Sequence, residues 1–405
     1  MESSKIIAKL ARMLRDVALA EELAQDILVT ALEQWPKSGV PSNPGAWLMV
    51  TAKNRALDQL RRLKLLQRKH QIIATESDLL SETPALDDAD DEVGDDLLRL
   101  MFIACHPVLS TEARVALTLR LLGGLTTAEI ARAFLLPEPT IAQRIVRAKR
   151  ALTESHAPFE LPRKEDLASR LASVLEVIYL IFNEGYAATA GAEWMRPTLC
   201  EEALRLGRIL AELVPTEPEV HGLIALMEIQ ASRARARVSP SGEPILLLEQ
   251  DRARWDQLLI RRGLAALERA EGLSGALGPY ALQATVAACH ARARTADETD
   301  WARIVALYDA LAQLAPSPVI ELNRAVAVSM AFGPVAALEI VDALCADERL
   351  RSYHLLPSVR GDLLERLGRY EEARTEFTRA AALAQNARER TLLLGRASAC
   401  GTHLS

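Results

Sequence analysis

The chain is poor in aromatic residues and lacks long uninterrupted apolar runs. Aromatic side chains make up only 4% of its 405 residues, whereas 50% of the residues are hydrophobic. Abundant Ala and Leu with few aromatics favour packed helices over sheets. No stretch approaches the roughly 18 apolar residues that a membrane-spanning helix needs, and the charged first residues are unlike a signal peptide. We therefore expect an all-α protein that is neither inserted in a membrane nor secreted.

Paired cysteines and catalytic motifs are also missing. The five cysteines lie far apart in the sequence and form no C-x-x-C pair, so neither a zinc knuckle nor a disulfide framework is expected. The sequence contains no P-loop, no dinucleotide-binding glycine motif and no H-E-x-x-H. We therefore expect no enzymatic activity, no metal and no cofactor. A reducing cytoplasm is the expected compartment.

Charge is strongly polarised along the chain, although the net charge is only −6. Residues 51–70 hold seven Lys or Arg and one Asp, whereas residues 76–96 hold ten Asp or Glu and no Lys or Arg. Such polarity is a better guide to partners than the sum of charges. The length predicts two or three domains, at about 100–200 residues each. The acidic stretch, with Pro84 and Gly94, is the expected linker.

Residues 44–69 predict an amphipathic helix with a basic face. Asn43 fits the N-cap and Pro44 fits the first helical position. One apolar stripe at helical spacing consists of Met49, Ala52, Ala56, Leu60 and Leu63. The opposite face and its flanks carry Trp47, Lys53, Asn54, Arg55, Asp58, Arg61 and Arg62. Cations that follow phosphates and rings that stack on bases are typical of single-stranded DNA binding. The alternative is a solvated face, with Trp47 packed on the preceding helix.

Residues 124–152 predict a helix, a short turn and a second helix. Thr126 or Thr127 can cap the first helix with Glu129 in its first turn, and Pro139 fits the start of the second. The buried stripe of the second helix is Ile141, Ile145, Ala148 and Leu152. Its other side carries Thr140, Gln143, Arg144, Arg147 and Arg150. Long hydrogen-bonding side chains in front of an apolar stripe are what a major-groove recognition helix needs. The alternative is a helix pair used for protein contact.

At these segments the chain resembles bacterial sigma-70 family sigma factors of the extracytoplasmic-function (ECF) type. ALAEELAQDILVTALEQW resembles the polymerase-clamp helix of region 2, and PGAWLMVTAKNRALDQLRR resembles the helix that reads and melts the promoter −10 element. Residues 119–152 resemble region 4, which reads the −35 element. The resemblance implies core RNA polymerase and promoter DNA as partners.

The resemblance assigns roles by position. Residues facing the polymerase clamp would be Glu21, Glu22, Gln25 and Asp26. Residues meeting the −10 region would be Trp47, Lys53, Asn54, Arg55, Asp58, Arg61 and Arg62. Residues meeting the −35 duplex would be Thr140, Gln143, Arg144 and Arg147, with Lys149 and Arg150 nearer phosphates. The acidic linker would lie in a positively charged polymerase channel or act as a solvated spacer.

The C-terminal residues predict a helical array. RLGRYEEA at 366–373 resembles a tetratricopeptide repeat, and Gly333 and Gly368, 35 residues apart, suggest two weak copies; the alternative is an ordinary helical bundle. Together with YLIFNEGY and LLEQDRARWD, the array resembles the ECF subgroup with a long C-terminal extension. Two polar-aromatic clusters stand out: Asn183, Glu184, Tyr186, Asp251, Arg254, Trp255 and Asp256. They would form an interdomain or ligand contact, or a buried network that holds helices in register.

The expected organisation has four parts. They are region 2 (1–72), the acidic linker (73–96), region 4 (97–157) and a regulatory tetratricopeptide-like domain (158–405) with a protein or peptide partner. The predicted function is a sigma factor that directs promoter recognition and transcription initiation. One alternative is a stand-alone helix-turn-helix regulator with a helical-repeat sensor. Another is an interaction scaffold with a vestigial helix-turn-helix.

Overall fold

The computed structural model describes residues 2–73, 91–134, 136–155, 157, 159–273 and 276–403. The elements in these residues are α-helices and short 3-10 turns, so the expected all-α fold class is confirmed. The chain divides into two compact units, Met1–Ile178 and Tyr179–Ser405. Most of the expected acidic linker, residues 74–90, lies outside the described residues. In the part that is described, no helix has the length and apolar character to cross a membrane.

Three helices open the first unit. They are α1 (Glu2–Leu14), α2 (Val17–Ser38) and α3 (Pro44–Ile73), and α1 packs against both of the others. The Asn43 side chain accepts the Ala46 N–H at 3.0 Å, which confirms the predicted cap of α3. Helix α2 continues through Pro36 to Ser38 and is capped by Gly39, whose φ is 85°. A proline in the last turn removes only one backbone bond, whereas Gly39 adopts a left-handed conformation that ends the helix.

The remaining helices of the first unit include the predicted helix-turn-helix. They are α4 (Asp91–Ala104), α5 (Thr111–Leu121), α6 (Thr127–Phe134), α7 (Glu138–Glu154) and the N-terminal part of α8 (Lys164–Tyr186). Residues 91–96 are helical rather than part of a linker. Asp96 is only 1% exposed and forms ion pairs with Arg12 of α1 and with Arg99. The buried side chain of Asp96 thus attaches the end of the acidic segment to α1, although the composition of the segment predicted no buried residue.

The second unit is a succession of helices that pack chiefly on their chain neighbours. After the end of α8 come α9 (Pro197–Leu213), α10 (Pro218–Ala231), α11 (Gln257–Leu273), α12 (Pro279–Arg292), α13 (Trp301–Leu314), α14 (Pro318–Phe332), α15 (Pro334–Leu344), α16 (Leu355–Arg366), α17 (Tyr370–Leu383) and α18 (Ala387–Thr402). Proline often occupies the first helical position here, where its missing N–H costs nothing. Neighbour-to-neighbour packing is typical of helical-repeat proteins.

The two glycines of the proposed repeat stand at equivalent places. Gly333 (φ 95°) lies between α14 and α15, and Gly368 (φ 75°) lies just before α17. Phe377 of α17 is fully buried and packs so closely on α16 that a Cβ at Gly361 would lie 2.9 Å from its ring. The helices α13–α18 share one continuous apolar core that includes Phe377, Leu338 and Ala373.

Candidate nucleic-acid interface

Helix α7 separates its apolar and polar residues onto opposite sides. Its buried residues are Ile141, Ile145, Ala148 and Leu152, each at most 5% exposed, which is the stripe that the sequence predicted. Thr140, Gln143, Arg147 and Arg150 are exposed and Arg144 is half-buried. α7 packs against both α5 and α6. Its hydrogen-bonding face is thus supported from behind by a packed core, which is the arrangement that major-groove reading requires.

The start of α6 is fixed by a reciprocal capping pair. The Thr126 hydroxyl accepts the Glu129 N–H at 3.2 Å, and the Glu129 carboxylate accepts the Thr126 N–H at 2.8 Å. The Thr126 N–H and hydroxyl both donate to the Glu129 carboxylate, and they hold the pKa of Glu129 below its usual range. A capping box satisfies two otherwise unpaired backbone donors. The predicted cap at Thr126, with Glu129 in the first turn, is therefore confirmed.

Three cations of α7 lie close to carboxylates. Lys149 forms an ion pair with Glu21 of α2. Arg144 lies within electrostatic range of Glu112, whose pKa is lowered by its own N–H and the Ser110 hydroxyl first, and by Arg144 to a smaller extent. Arg150 pairs with Glu154 at 2.6 Å on the exposed surface, and such surface pairs are weak.

The polar face of α3 is only partly open. Asn54, Asp58, Arg61 and Arg62 are exposed, whereas Lys53 and Arg55 are half-buried. Arg55 donates to the Thr30 hydroxyl of α2 at 2.7 Å, so this side chain helps to join two helices. On the apolar side, Ala52 and Ala56 are fully buried and Met49 and Leu60 are half-buried. The side chain of Leu63 lies outside the described residues.

The ring of Trp47 packs on a second tryptophan. It is half-buried and meets Trp35 of α2 edge to face, with ring centroids 5.6 Å apart. Packing against the preceding helix, the alternative considered from the sequence, therefore accounts for part of this ring. The rest of the Trp47 side chain remains accessible to solvent.

Helix α2 presents an exposed stripe that includes most of the predicted polymerase-facing residues. Glu22, Gln25 and Asp26 are exposed. Val29 and Leu32 continue the same face at 52% and 73% exposure. These two side chains were not predicted from the sequence, although the helical spacing from Glu22 to Gln25, Val29 and Leu32 identifies them.

Glu21 departs from its expected orientation. It is 4% exposed and accepts a hydrogen bond from Arg120 of α5 at 2.6 Å in addition to its pair with Lys149. A carboxylate is held inside a protein when cations compensate the loss of water. Glu21 therefore faces the helix-turn-helix part and does not share the exposed face of Glu22.

In the second unit, the residues of the first polar-aromatic cluster act mainly on neighbouring chain segments. Glu184 pairs with Arg196 and accepts the Thr189 hydroxyl at 2.6 Å. The ring of Tyr186 stacks on Phe182 and lies beneath the Arg237 guanidinium, 3.5 Å from ring centroid to carbon. Asn183 is half-buried on the same helix. These contacts favour a network that fixes the loop after α8.

The second cluster organises the start of α11. Asp256 accepts the N–H groups of Leu258 and Leu259 at 2.9 and 3.1 Å, and Asp251 accepts that of Ala253 at 3.0 Å. Trp255 is 3% exposed. Arg254 is exposed.

Arg233 brings the two clusters together. Its guanidinium carbon lies 5.7 Å from the Tyr186 ring and 5.9 Å from the Trp255 ring. A small cavity of about 190 Å³, lined mostly by apolar side chains, opens between Tyr186 and Asp256. Within the described residues, no group of three or more His, Cys, Asp or Glu is arranged to hold a metal ion.

Known families match three segments of the chain. Sigma-70 region 2 matches residues 2–65, and sigma-70 region 4 matches residues 99–152. The ECF RNA polymerase sigma factor SigK of Mycobacterium ulcerans (strain Agy99) is 30% identical over 154 residues, which cover 37% of this chain and 78% of that protein. The chain belongs to the ECF sigma factors of the sigma-70 family. Its role is that of a sigma factor, with core RNA polymerase and promoter DNA as partners.

The C-terminal extension of this sigma factor also has relatives. A family of unknown function, DUF6596, matches residues 170–271. The uncharacterized protein R00370 of Rhizobium meliloti (strain 1021) is 46% identical over 389 residues, which cover 94% of this chain and 89% of that protein. The extension thus recurs, together with both sigma regions, in another protein of the same layout.

Proposed function

We propose that α7 of this sigma factor reads the promoter −35 duplex through Thr140, Gln143, Arg144 and Arg147. The observation that carries this assignment is the division of α7, whose apolar stripe is buried while Gln143 and Arg147 are exposed. Arginine and glutamine can each make two hydrogen bonds to a base edge, and a good bidentate pair discriminates by about 1–3 kcal/mol. Arg150 lies nearer the phosphates, where position and charge matter more than base identity.

Helix α3 is the proposed reader of the −10 element. Asn54, Asp58, Arg61 and Arg62 form its open face, and the exposed edge of Trp47 offers a surface for an unstacked base. Stacking of a base on an aromatic ring contributes about 1–3 kcal/mol, which offsets part of the cost of unpairing the duplex. Arg55 and Lys53 are half-buried, so they would stabilise this face rather than make its main contacts with DNA.

Helix α2 is the proposed contact with core polymerase. Its exposed stripe combines the acidic side chains of Glu22 and Asp26 with the apolar side chains of Val29 and Leu32. This composition fits a polymerase surface with basic residues around an apolar patch. Glu21 is excluded from the direct contact because it is buried.

The C-terminal unit is the proposed regulatory part. Helical repeats form extended surfaces for a protein or peptide partner. The cavity beside Tyr186 and the exposed Arg254 are two features of this unit that could meet such a partner. The acidic segment at residues 74–90 keeps its two proposed roles, as a spacer or as an occupant of a basic polymerase channel, and lies outside the described residues.

The −35 assignment is tested by Arg144→Ala in run-off transcription with core polymerase. We expect transcription from the cognate promoter to fall about fivefold or more, because a base contact worth about 1–3 kcal/mol is lost. Binding to core polymerase should stay unchanged, since Arg144 lies on α7 and not on the exposed stripe of α2. Arg303→Ala, which removes an exposed arginine of α13, is the matched control and should transcribe normally. An equal loss of core binding in Arg144→Ala would contradict the role given to α7.

A further inference from the structure

Three arginine side chains gather beside the two polar-aromatic clusters of the second unit. Arg233 follows α10, and Arg237 and Arg252 lie in the segment that leads to α11. The Arg233 and Arg237 guanidinium carbons lie 5.7 and 3.5 Å from the centroid of the Tyr186 ring. The Arg233 and Arg252 carbons lie 5.9 and 4.9 Å from that of the Trp255 ring. Arg233 thus shares one aromatic ring with each of the other two cations.

Two of the three guanidinium groups have structural partners. Arg237 donates to the Tyr186 carbonyl at the end of α8. Arg252 donates to the His290 carbonyl at the end of α12 and to the Ala293 carbonyl, the latter at 2.9 Å. The carboxyl end of a helix carries partial negative charge, so a cation is favourable there. Capping of α8 and α12 therefore accounts for Arg237 and Arg252.

The Arg233 guanidinium has no such partner. Within the described part of the chain it forms no hydrogen bond and no ion pair, and its Nε is buried without an acceptor. Burial is the first cause that lowers the pKa of Arg237, Arg252 and His290, and the charge of Arg233 lowers each pKa further. The two rings offset little of this repulsion, because both lie near the limit of about 6 Å for cation–π attraction.

The carboxylates around this arginine cluster do not neutralise it. Among the residues that the structure describes, none of the three arginines forms an ion pair with a carboxylate. Glu298 lies within electrostatic range of Arg252, but its carboxylate accepts the Arg294 N–H at 2.9 Å. The carboxylates of Asp251 and Asp256 accept backbone N–H groups near the start of α11. A net positive charge thus remains in a partly buried place, where it is unfavourable without a counter-charge.

The cavity described above adjoins Arg233. The residues on either side of Arg233 in the sequence line it, together with Tyr186. Its volume is about 190 Å³ and its lining is mostly apolar. Because Glu201 and Asp256 also line it, the cavity suits the uncharged part of a ligand, whereas an anionic group would be attracted to Arg233.

We propose that Arg233 binds the phosphate group of a small ligand, with Arg237 and Arg252 supplying additional positive potential. The ligand is free phosphate or a phosphate monoester whose uncharged part occupies the adjoining cavity. Guanidinium groups bind phosphate oxygens through two parallel hydrogen bonds, and a dianion compensates three cations better than a single carboxylate does. The site goes beyond the protein or peptide partner proposed for the second unit and does not depend on it.

Binding is measured by isothermal titration calorimetry on the full chain at constant ionic strength. The probes are inorganic phosphate, phenyl phosphate and acetate. We expect both phosphate probes to bind, and acetate to bind at least about tenfold more weakly because it carries one charge. Tighter binding of phenyl phosphate than of inorganic phosphate would identify a monoester, and the reverse order would identify the free ion. Binding of neither phosphate probe, or equally tight binding of acetate, would overturn the proposal.

Variants separate the arginine cluster from the basic helices of the first unit, which also attract phosphate. Arg233→Gln removes the charge and should weaken phosphate binding at least about tenfold. Arg261→Gln, which removes an exposed arginine of α11, is the matched control and should bind as the parent does. Arg233→Lys keeps the charge without the planar fork and should lie between the two. Parent-like binding by Arg233→Gln, or an equal loss in Arg261→Gln, would contradict the assignment.

The stability of the ligand-free chain gives a second readout, whose sign distinguishes binding from a purely structural role. Arg233→Met removes the repelled charge and keeps an unbranched side chain, so its midpoint of thermal unfolding should exceed that of the parent in phosphate-free buffer. Inorganic phosphate should raise the midpoint of the parent more than that of Arg233→Met. A lower midpoint for Arg233→Met in phosphate-free buffer would show that Arg233 stabilises the fold by itself, and would overturn the proposal.

Discussion

His290 is a buried imidazole held in its neutral form. It is 7% exposed on α12, and its ring meets Trp301 edge to face with centroids 5.1 Å apart. Burial, together with the nearby Arg233 and Arg252 guanidinium groups, lowers the pKa of His290 from 6.5 to about 4. The neutral ring is therefore part of the packing of the second unit.

This depressed pKa predicts acid sensitivity. Between pH 6.5 and about 4 the unfolded chain binds a proton at His290 that the folded chain does not, so stability falls as the pH falls. From pH 7 to pH 5 we expect His290 to remove roughly 2 kcal/mol of unfolding free energy. His290→Phe keeps an aromatic ring beside Trp301 but cannot bind this proton. Between pH 7 and pH 5 its free energy of unfolding should therefore fall by about 2 kcal/mol less than that of the parent. Urea unfolding of both proteins at the two pH values measures the difference, and equal losses would contradict the assignment.

Helices α10 and α12 cross so closely that one position admits only glycine. A Cβ at Gly222 would lie 2.7 Å from the Ala281 nitrogen and 2.9 Å from its Cα. These are backbone atoms, so no side-chain rotation can relieve the contact. Gly395 in the interior of α18 is the opposite case, because nothing lies within 4 Å of its added Cβ.

Alanine at these two positions should change the free energy of unfolding in opposite directions. Gly222→Ala should destabilise the protein by about 1–3 kcal/mol, the usual cost of overpacking. Gly395→Ala should stabilise it by about 0.5–1 kcal/mol, because alanine loses less conformational freedom in a helix. Chemical unfolding of both variants against the parent measures the two effects. If both substitutions changed the free energy of unfolding by a similar amount in the same direction, the close contact between α10 and α12 at Gly222 would be contradicted.

Local elements were predictable from sequence, and contacts between distant elements were not. The caps at Asn43 and Thr126 and the buried stripe of α7 depend on residues within a few positions of each other, which periodicity reveals. The burial of Glu21 depends on Arg120, 99 residues later. The same holds for Asn386, which is fully buried and donates to the Ala188 carbonyl, 198 residues earlier, at 3.1 Å. A charged residue on an amphipathic helix gives no local sign of such a partner.

At the scale of the whole molecule, the boundary between the two compact units does not fall at the expected domain boundary after residue 157. The first unit extends to Ile178, within α8. Arg170 donates to the Phe102 carbonyl at 2.7 Å, and the Ser173 hydroxyl donates to the Cys105 carbonyl at 2.9 Å. Arg114 reaches Glu176 at 3.2 Å. The N-terminal half of α8 thus packs on residues 102–114 within the first unit, although the helix itself continues beyond Ile178.

These contacts predict how the chain can be shortened. A chain ending at residue 160 should be about 2–4 kcal/mol less stable than one ending at Ile178, because it leaves the Phe102 and Cys105 carbonyls without partners. Urea unfolding of the two truncated chains measures this difference, and equal stability would contradict the role of α8.

The chain that ends at Ile178 is the appropriate comparison with the full chain in run-off transcription, because it keeps the N-terminal half of α8. If the extension regulates through coupled sites, their activities should differ by at least about fivefold, and equal activity would contradict that proposal.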